Sequence, residues 1–335
     1  QLEVHGPAVG DLDFTFRERW EDPTPLDHSN PTRAWLLRAT SRGRRANPLP
    51  GALPDPPHVG THAVQVLRTY PCRRPSYPFA PSGERSIARA FVKAVGRARR
   101  LIYIEDQYFW SSEIAEVLAD AVGRHPALHV IAVVPRHPDK DGRYSGPPSR
   151  VAQERAMAKV RAAGGDRVAF YDLQNDAGVP VYVHAKVCVI DDVWAEVGSD
   201  NLNRRSWTHD SELACAVIDT VLDDRPPLDP AGLGDGSRRF ARDLRVSLWA
   251  EHLGRSPADP DLLDPTVGFA LWRETAEALD RWHLGGCRGP RPLGRVRAHR
   301  VAPVPAMSTW WAEVAYRLLY DPDGRPVQLR RARRL

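Results

Sequence analysis

Lysine is nearly absent from this chain of 335 residues. Of its 47 basic residues all but four are arginine, and the lysines are Lys93, Lys140, Lys159 and Lys186. Such a bias reflects coding more than function, yet it draws the eye to where those four stand. Long apolar runs are also missing. No stretch of 18 or more apolar residues occurs, so the sequence offers no helical membrane span. Cysteine is sparse, and Cys72, Cys188, Cys215 and Cys287 are too scattered for a metal-binding pattern. Cys188 and Cys215 lie in apolar runs and read as small core residues; no disulfide is assigned. The chain opens at Gln1 directly in patterned sequence, with no signal-peptide pattern. The expectation is that the natural N-terminus lies upstream, and that the protein is cytoplasmic or peripheral to a membrane.

What is present is ordinary for a globular protein: 42% hydrophobic and 27% charged residues. The net charge of +5 is unevenly placed. Residues 288–335 carry a large arginine excess over Glu313, Asp321 and Asp323, and the rest of the chain is slightly acidic. A basic end of this kind can meet anionic lipid head groups or nucleic acid, or can simply be a solvated surface.

The apolar spacing predicts an α/β fold, with a mixed β-sheet flanked by helices on both faces and an extra helical and basic C-terminal region. Residues 6–20 read as an amphipathic helix through Val9, Leu12, Phe16 and Trp20. Residues 22–60 are rich in Pro, Gly, Arg and Asn and read as a linker, with an apolar patch at 35–37. Strands are expected at 64–70, 101–104, 130–134, 168–171, 181–190, 194–197 and 213–218, and near 313–319. Helices are expected at 87–99, at 114–122 with Ser112 as its cap, and at 149–163, 240–253 and 267–282. Residues 136–148 read as an exposed loop. The expected division is residues 1–80, a first-lobe remnant and linker, followed by residues 81–335, a catalytic lobe.

One stretch stands out from this pattern. His184-Ala-Lys186-Val-Cys-Val-Ile-Asp191 is followed after six residues by Gly198-Ser199-Asp200-Asn201, and Glu212 comes eleven residues later. On a strand, residues two apart share a face. His184 and Lys186 would then project together, opposite Val183, Ala185, Val187 and Val189. An imidazole, an ammonium, an amide and a hydroxyl can converge on one tetrahedral anion, and would hold a pentacoordinate transition state better still. The candidate catalytic set is His184, Lys186, Asp191 and Glu212, with Asp191 as its structural member at a turn. Lys186, Ser199 and Asn201 are the candidate phosphate ligands. The imidazole could attack phosphorus or protonate a leaving alkoxide. Glu212 would fix its tautomer. Neither a metal nor another cofactor is called for.

HAKVCVID and GSDNLNRRS resemble the H-x-K-x4-D and G-S-x-N segments of the phospholipase D superfamily, and Asp210-Ser-Glu-Leu213 resembles its acid-bearing strand. The resemblance extends to residues 84–109, 240–254 and 292–299, which are similar to the second lobe of two-motif phospholipases D. Residues 6–20 resemble the helix that ends the first lobe. The resemblance implies a metal-independent attack on a glycerophospholipid through a covalent phosphohistidine. His184 would serve as acid and base in the second half-site, with membrane phospholipid as substrate. The first half-site would come from a missing first lobe or from a second copy of the chain, because His184-Ala-Lys186 is the only H-x-K here. The alternatives are a homodimeric nuclease of the same superfamily and a catalytically incomplete lipid- or phosphate-binding fragment. Nucleic acid fits less well than lipid. If the first-lobe helix has lost its sheet, Phe16 and Trp20 should be exposed.

Overall fold

The computed structural model describes residues 1–22, 46–73, 75–138 and 146–332, together with residues 32, 35, 36, 39 and 142. About half of the expected linker and much of the 136–148 loop therefore lie outside the described residues. So does Leu37 of the apolar patch.

Nine strands form one mixed sheet among the described residues. They are β1 (His62–Tyr70), β2 (Glu84–Arg85), β3 (Leu101–Glu105), β4 (His129–Val133), β5 (Val168–Leu173), β6 (Val187–Ile190), β7 (Trp194–Gly198), β8 (Glu212–Asp219) and β9 (Val296–Ala298). Their order across the sheet is β2-β1-β8-β7-β6-β3-β4-β5-β9. The centre is parallel, β3 to β4 to β5, and antiparallel pairs extend it on both sides. All five residues of β3 are buried, as expected of a strand covered on both faces.

Helices do cover both faces. One face packs α2 (Ser86–Arg97), α3 (Ser112–Arg124) and α4 (Gly146–Gly164) against Ile102, Ile104, Val130 and Ala132. The apolar positions Ile87, Phe91 and Val95 recur at helical spacing and are all buried. The other face packs α6 (Arg239–Leu253) and α7 (Pro265–Leu284) against Leu101, Tyr103, Ile131 and Val133. Trp249 and Trp272 are fully buried there beside Tyr103. A short helix, α5 (Arg204–Thr208), follows β7. Among the described residues no helix is long and apolar enough to cross a membrane.

Several boundaries differ from the sequence expectation, each for a physical reason. β1 lies before residue 81, yet it pairs with β8 through eight consecutive positions. The sheet therefore takes in residues from before the expected boundary at 80–81, the expected strand at 64–70 among them. The cap of α3 is Ser111, whose hydroxyl accepts from the Ile114 amide; Ser112 is the first helical residue. Residues 313–319 are not a strand. They fall in α8 (Ala306–Ala315) and a π-helical turn at Tyr316–Tyr320. Val314, Tyr316 and Leu318 do alternate, but Trp310, Val314 and Leu318 also keep the helical spacing of four, and the helix prevails. β9 is an unexpected strand, three residues long among arginines, that covers the edge of β5. Nearer the N-terminus, α1 (Ala8–Trp20) turns Thr15 and Glu18 toward Arg68 of β1. Its aromatic side faces outward: Phe16 is 51% exposed and Trp20 42%, and the two rings stack on each other.

Candidate active site

The parallel strands β3, β4 and β5 end on one rim of the sheet, where open α/β sheets tend to place their sites. The start of β6, the end of β7 and the start of β8 reach the same rim, because these strands run antiparallel to their neighbours. The residues of the motif are therefore gathered by topology alone.

His184 and Lys186 do not lie within a strand ladder. β6 begins at Val187, which is paired with Glu105 and Val197. β3 ends at Glu105, so the preceding residues run out past the sheet with one bond left to β7, from the Gly198 amide to the Lys186 carbonyl. The extended alternation nonetheless persists. Val183, Ala185, Val187 and Val189 pack on the α6–α7 side, whereas Cys188 and Ile190 pack on the other. His184 is exposed, and its ring stacks on Tyr182 at 6.4 Å. The Lys186 ammonium is half-buried and donates to Gln107 Oε1 at 3.1 Å and to the His184 carbonyl at 3.0 Å. Gln107 in turn donates to the Tyr182 hydroxyl at 2.7 Å. Desolvation lowers the Lys186 pKa, and Asp106, Glu212 and Asp200 pull it back up.

The Gly198 turn fits only glycine. A Cβ there would stand 2.5 Å from Ala214 Cβ and 2.6 Å from Asp200 Oδ1. The Ser199 hydroxyl donates to Glu212 Oε2 at 2.5 Å and accepts from the Leu213 amide. The other Glu212 oxygen accepts from Ser206 at 2.8 Å. The expected Glu212–His184 hydrogen bond is therefore not formed: both carboxylate oxygens are held by hydroxyls, and those bonds fasten the Ser199 turn to β8 and α5. Burial raises the Glu212 pKa, and the two serine hydroxyls oppose it. Asn201 sits on the same turn, with its side-chain oxygen buried and without a partner.

Asp191 lies at the far end of β6, about 16 Å of extended chain from Lys186. It cannot touch a group bound at Lys186. Its oxygens accept from the backbone amides of Arg99, Arg100 and Leu101 at 2.7–2.8 Å. Asp191 and Asp192 both adopt positive φ in the three-residue turn, residues 191–193, that leads to β7, a conformation aspartate tolerates. Asp192 is fully buried between Arg242 and Arg245 of α6, with Nε–O distances of 3.1 and 2.6 Å. The end of the motif is thus an anchor for the fold.

Sequence reasoning passed over four residues that shape the site. Asp106 is buried and accepts from the amides of Tyr108, Phe109 and Leu202, tying the loop that carries Gln107 to the turn that carries Asn201. Gln107 holds the ammonium. Glu196 and Asp200 are buried acids beneath it. The signal for Asp106 and Gln107 was the segment Glu105-Asp-Gln-Tyr-Phe109, a run of three polar residues closing an apolar strand.

A family model described as the cardiolipin synthase, PLD-like domain matches residues 91–224, which span every motif residue above. Phospholipase D zeta 1 of Arabidopsis thaliana is 30% identical over 243 residues, covering 58% of this chain and 22% of that protein. Phospholipase D2 of Bos taurus is 29% identical over 322 residues, covering 82% of this chain and 33% of that protein. The chain belongs to the phospholipase D superfamily. It spans a third or less of the length of these superfamily relatives. Among solved structures, the phosphatidylserine synthase of Haemophilus influenzae Rd KW20 aligns at 16% identity with a TM-score of 0.42, over 63% of this chain and 49% of that one. The superfamily member Nuc from Salmonella typhimurium aligns at 22% identity with a TM-score of 0.34, over 47% of this chain and 84% of that one.

Proposed function

We propose that this chain supplies the acid–base half of a phospholipase D-type phosphodiesterase and phosphatidyltransferase acting on glycerophospholipids. The observation that carries this reading is Lys186. Its ammonium stands on the site rim, fixed by Gln107 below an exposed imidazole and beside the Ser199–Asn201 turn. A fixed cation with neutral donors around it suits the charge of a phosphodiester, and more so the extra charge of its transition state.

In this reading Lys186 and Asn201 bind the phosphate, Ser199 and Glu212 hold the turn, and Asp191 anchors the strand. The imidazole of a complementary half-site attacks phosphorus. The bond from phosphorus to the head-group oxygen breaks as His184 gives that oxygen a proton. His184 then takes a proton from water or an alcohol, whose oxygen displaces the phosphohistidine nitrogen and restores the first imidazole. The charge assistance comes from Lys186 and Asn201, so the donor set needs no metal. The complementary half comes from a first lobe or from a second copy of the chain, and the exposed His184 ring leaves that side of the site open. The outward aromatic face of α1 fits a helix belonging to such a first lobe.

The test is turnover of phosphatidylcholine, with ethanol added to trap transfer. Choline release with phosphatidylethanol formation supports the reading. Cleavage of single-stranded DNA without phospholipid turnover would favour a nuclease. Phosphate or vesicle binding without any turnover would leave a binding fragment.

A further inference from the structure

Beneath Lys186 lie two acids that belong neither to the H-x-K-x4-D pattern nor to the fixed letters of G-S-x-N. Glu196 of β7 is 4% exposed and Asp200 is 8% exposed. Burial and the neighbouring Asp200 carboxyl hold Glu196 well above the usual carboxylate range. Glu196 Oε2 is buried with no partner. Both acids line a cavity of about 20 Å³ together with Asp106 and Lys186, closed by Phe91, Ile104 and Leu202. That volume holds about one water molecule. The other titratable groups facing the pair are Glu212 of β8 and the thiols of Cys188 and Cys215. Lys186 is the cation whose charge bears on the pair, and it already answers to Asp106 and Glu212.

Two neighbouring buried carboxyl groups resist double ionisation, because burial and like charge both disfavour the second charge. We propose that Glu196 and Asp200 share one proton, and that this proton positions Lys186 by keeping its ammonium on Gln107 at the rim rather than drawn down between two carboxylates. The pair acts through Lys186 and does not touch substrate. With the proton in place, the pair presents a single negative charge and the ammonium faces the site. On losing it, the pair gains a second charge, and the ammonium is pulled away from where phosphate binds. Burial, followed by the nearby Glu212 carboxylate, pushes Asp200 up to about 7, so the pair takes on its single charge near neutrality, and burial with the Asp200 carboxylate beside it pushes the loss of the remaining proton, at Glu196, well above the usual carboxylate range. The consequence for phosphate rests on Lys186 being the phosphate-binding cation; the shared proton does not.

The scarcity of lysine makes the test direct. Lysine isotopically labelled at the ε-carbon yields only four side-chain signals, and Lys186→Arg assigns the relevant one. Across a titration from about pH 5 to about pH 9, the Lys186 signal of the unliganded protein should move with an inflection near pH 7. That inflection should be lost in Asp200→Asn and in Glu196→Gln. Its absence from the wild type, or its survival in both variants, overturns the proposal. Should neither variant fold, the side-chain carboxyl signals of the wild type decide the matter: one of the pair must ionise near neutrality, and ionisation of both below about pH 5 refutes the shared proton. Adding inorganic phosphate should shift the Lys186 signal. No shift would reject the phosphate reading while leaving the pH inflection to stand or fall by itself.

Discussion

Asp106 offers a quantitative test of how the fold carries the site. Its carboxylate accepts three backbone amides, from Tyr108 at 2.7 Å, Phe109 at 2.8 Å and Leu202 at 2.8 Å. Replacing it with alanine leaves three amides without their acceptor in a buried place. Hydrogen bonds to an ionised group contribute about 1.5–3 kcal/mol each, and they do not add fully when they share one acceptor. The loss should be about 3–6 kcal/mol, a large part of the roughly 5–15 kcal/mol that holds a domain together. Asp106→Asn is milder. Its remaining oxygen can still serve Tyr108 and Phe109, while its amide confronts the Leu202 N–H donor to donor. That should cost about 1–3 kcal/mol. In urea the alanine variant should unfold about 1–2 M earlier, for a slope of about 3 kcal/mol/M, with the asparagine variant between it and the wild type. Because Gln107 rides on this loop, the Lys186 side-chain signal should move in both. Stability within about 0.5 kcal/mol of wild type for Asp106→Ala, with an unmoved Lys186 signal, would refute the reasoning.

Asp192→Ala should cost about 3–5 kcal/mol by stranding the buried Arg242 and Arg245, whereas replacing all three by apolar residues of similar volume should recover most of that loss; thermal unfolding measures both. Gly198→Ala should cost about 1–3 kcal/mol, because the new methyl overlaps Ala214, and a neutral result by the same method would contradict the close approach. Stability should also depend on pH through Asp200. Its folded pKa of about 7 lies above the unfolded value, so protonation favours the folded state. That stabilisation is complete below the unfolded pKa of about 3.8 and lost by about pH 7, an amount on the order of 4 kcal/mol for about three units. Asp200→Asn should flatten the profile, and a variant that keeps the full slope places it elsewhere.

The fold was legible in the sequence where apolar spacing and burial agree. Ile87, Phe91 and Val95 repeat at helical spacing and form the buried stripe of α2; the unbroken apolar run 101–104 is the fully buried β3. It was misread where two periods overlap, as at Val314–Leu318, and where a strand is too short to show a period, as in β9. The candidate site was legible as a set of residue types. Its internal wiring was not, because spacing does not tell which of two nearby partners a carboxylate takes. Glu212 could serve an imidazole or hydroxyls; in the folded chain Ser199 and Ser206 hold both of its oxygens. The supporting residues were hidden for a related reason. Asp106 and Gln107 directly follow β3, some 80 residues before Lys186, and the β3–β6 pairing brings them to the motif. Glu196 sits between the apolar Ala195 and Val197, where alternation alone reads it as outward-facing, yet it is buried.

The central claim is that His184 moves protons for a phosphodiester while another imidazole carries the phosphoryl group. It is tested most directly by quenching the protein during steady turnover of phosphatidylcholine and mapping every histidine by mass spectrometry, with His184→Ala alongside. The account predicts that the variant folds normally, as an exposed side chain allows, yet loses turnover, and that no phosphoryl group is found on His184 in the wild type. A phosphoryl group on His184, or undiminished turnover in His184→Ala, would contradict it.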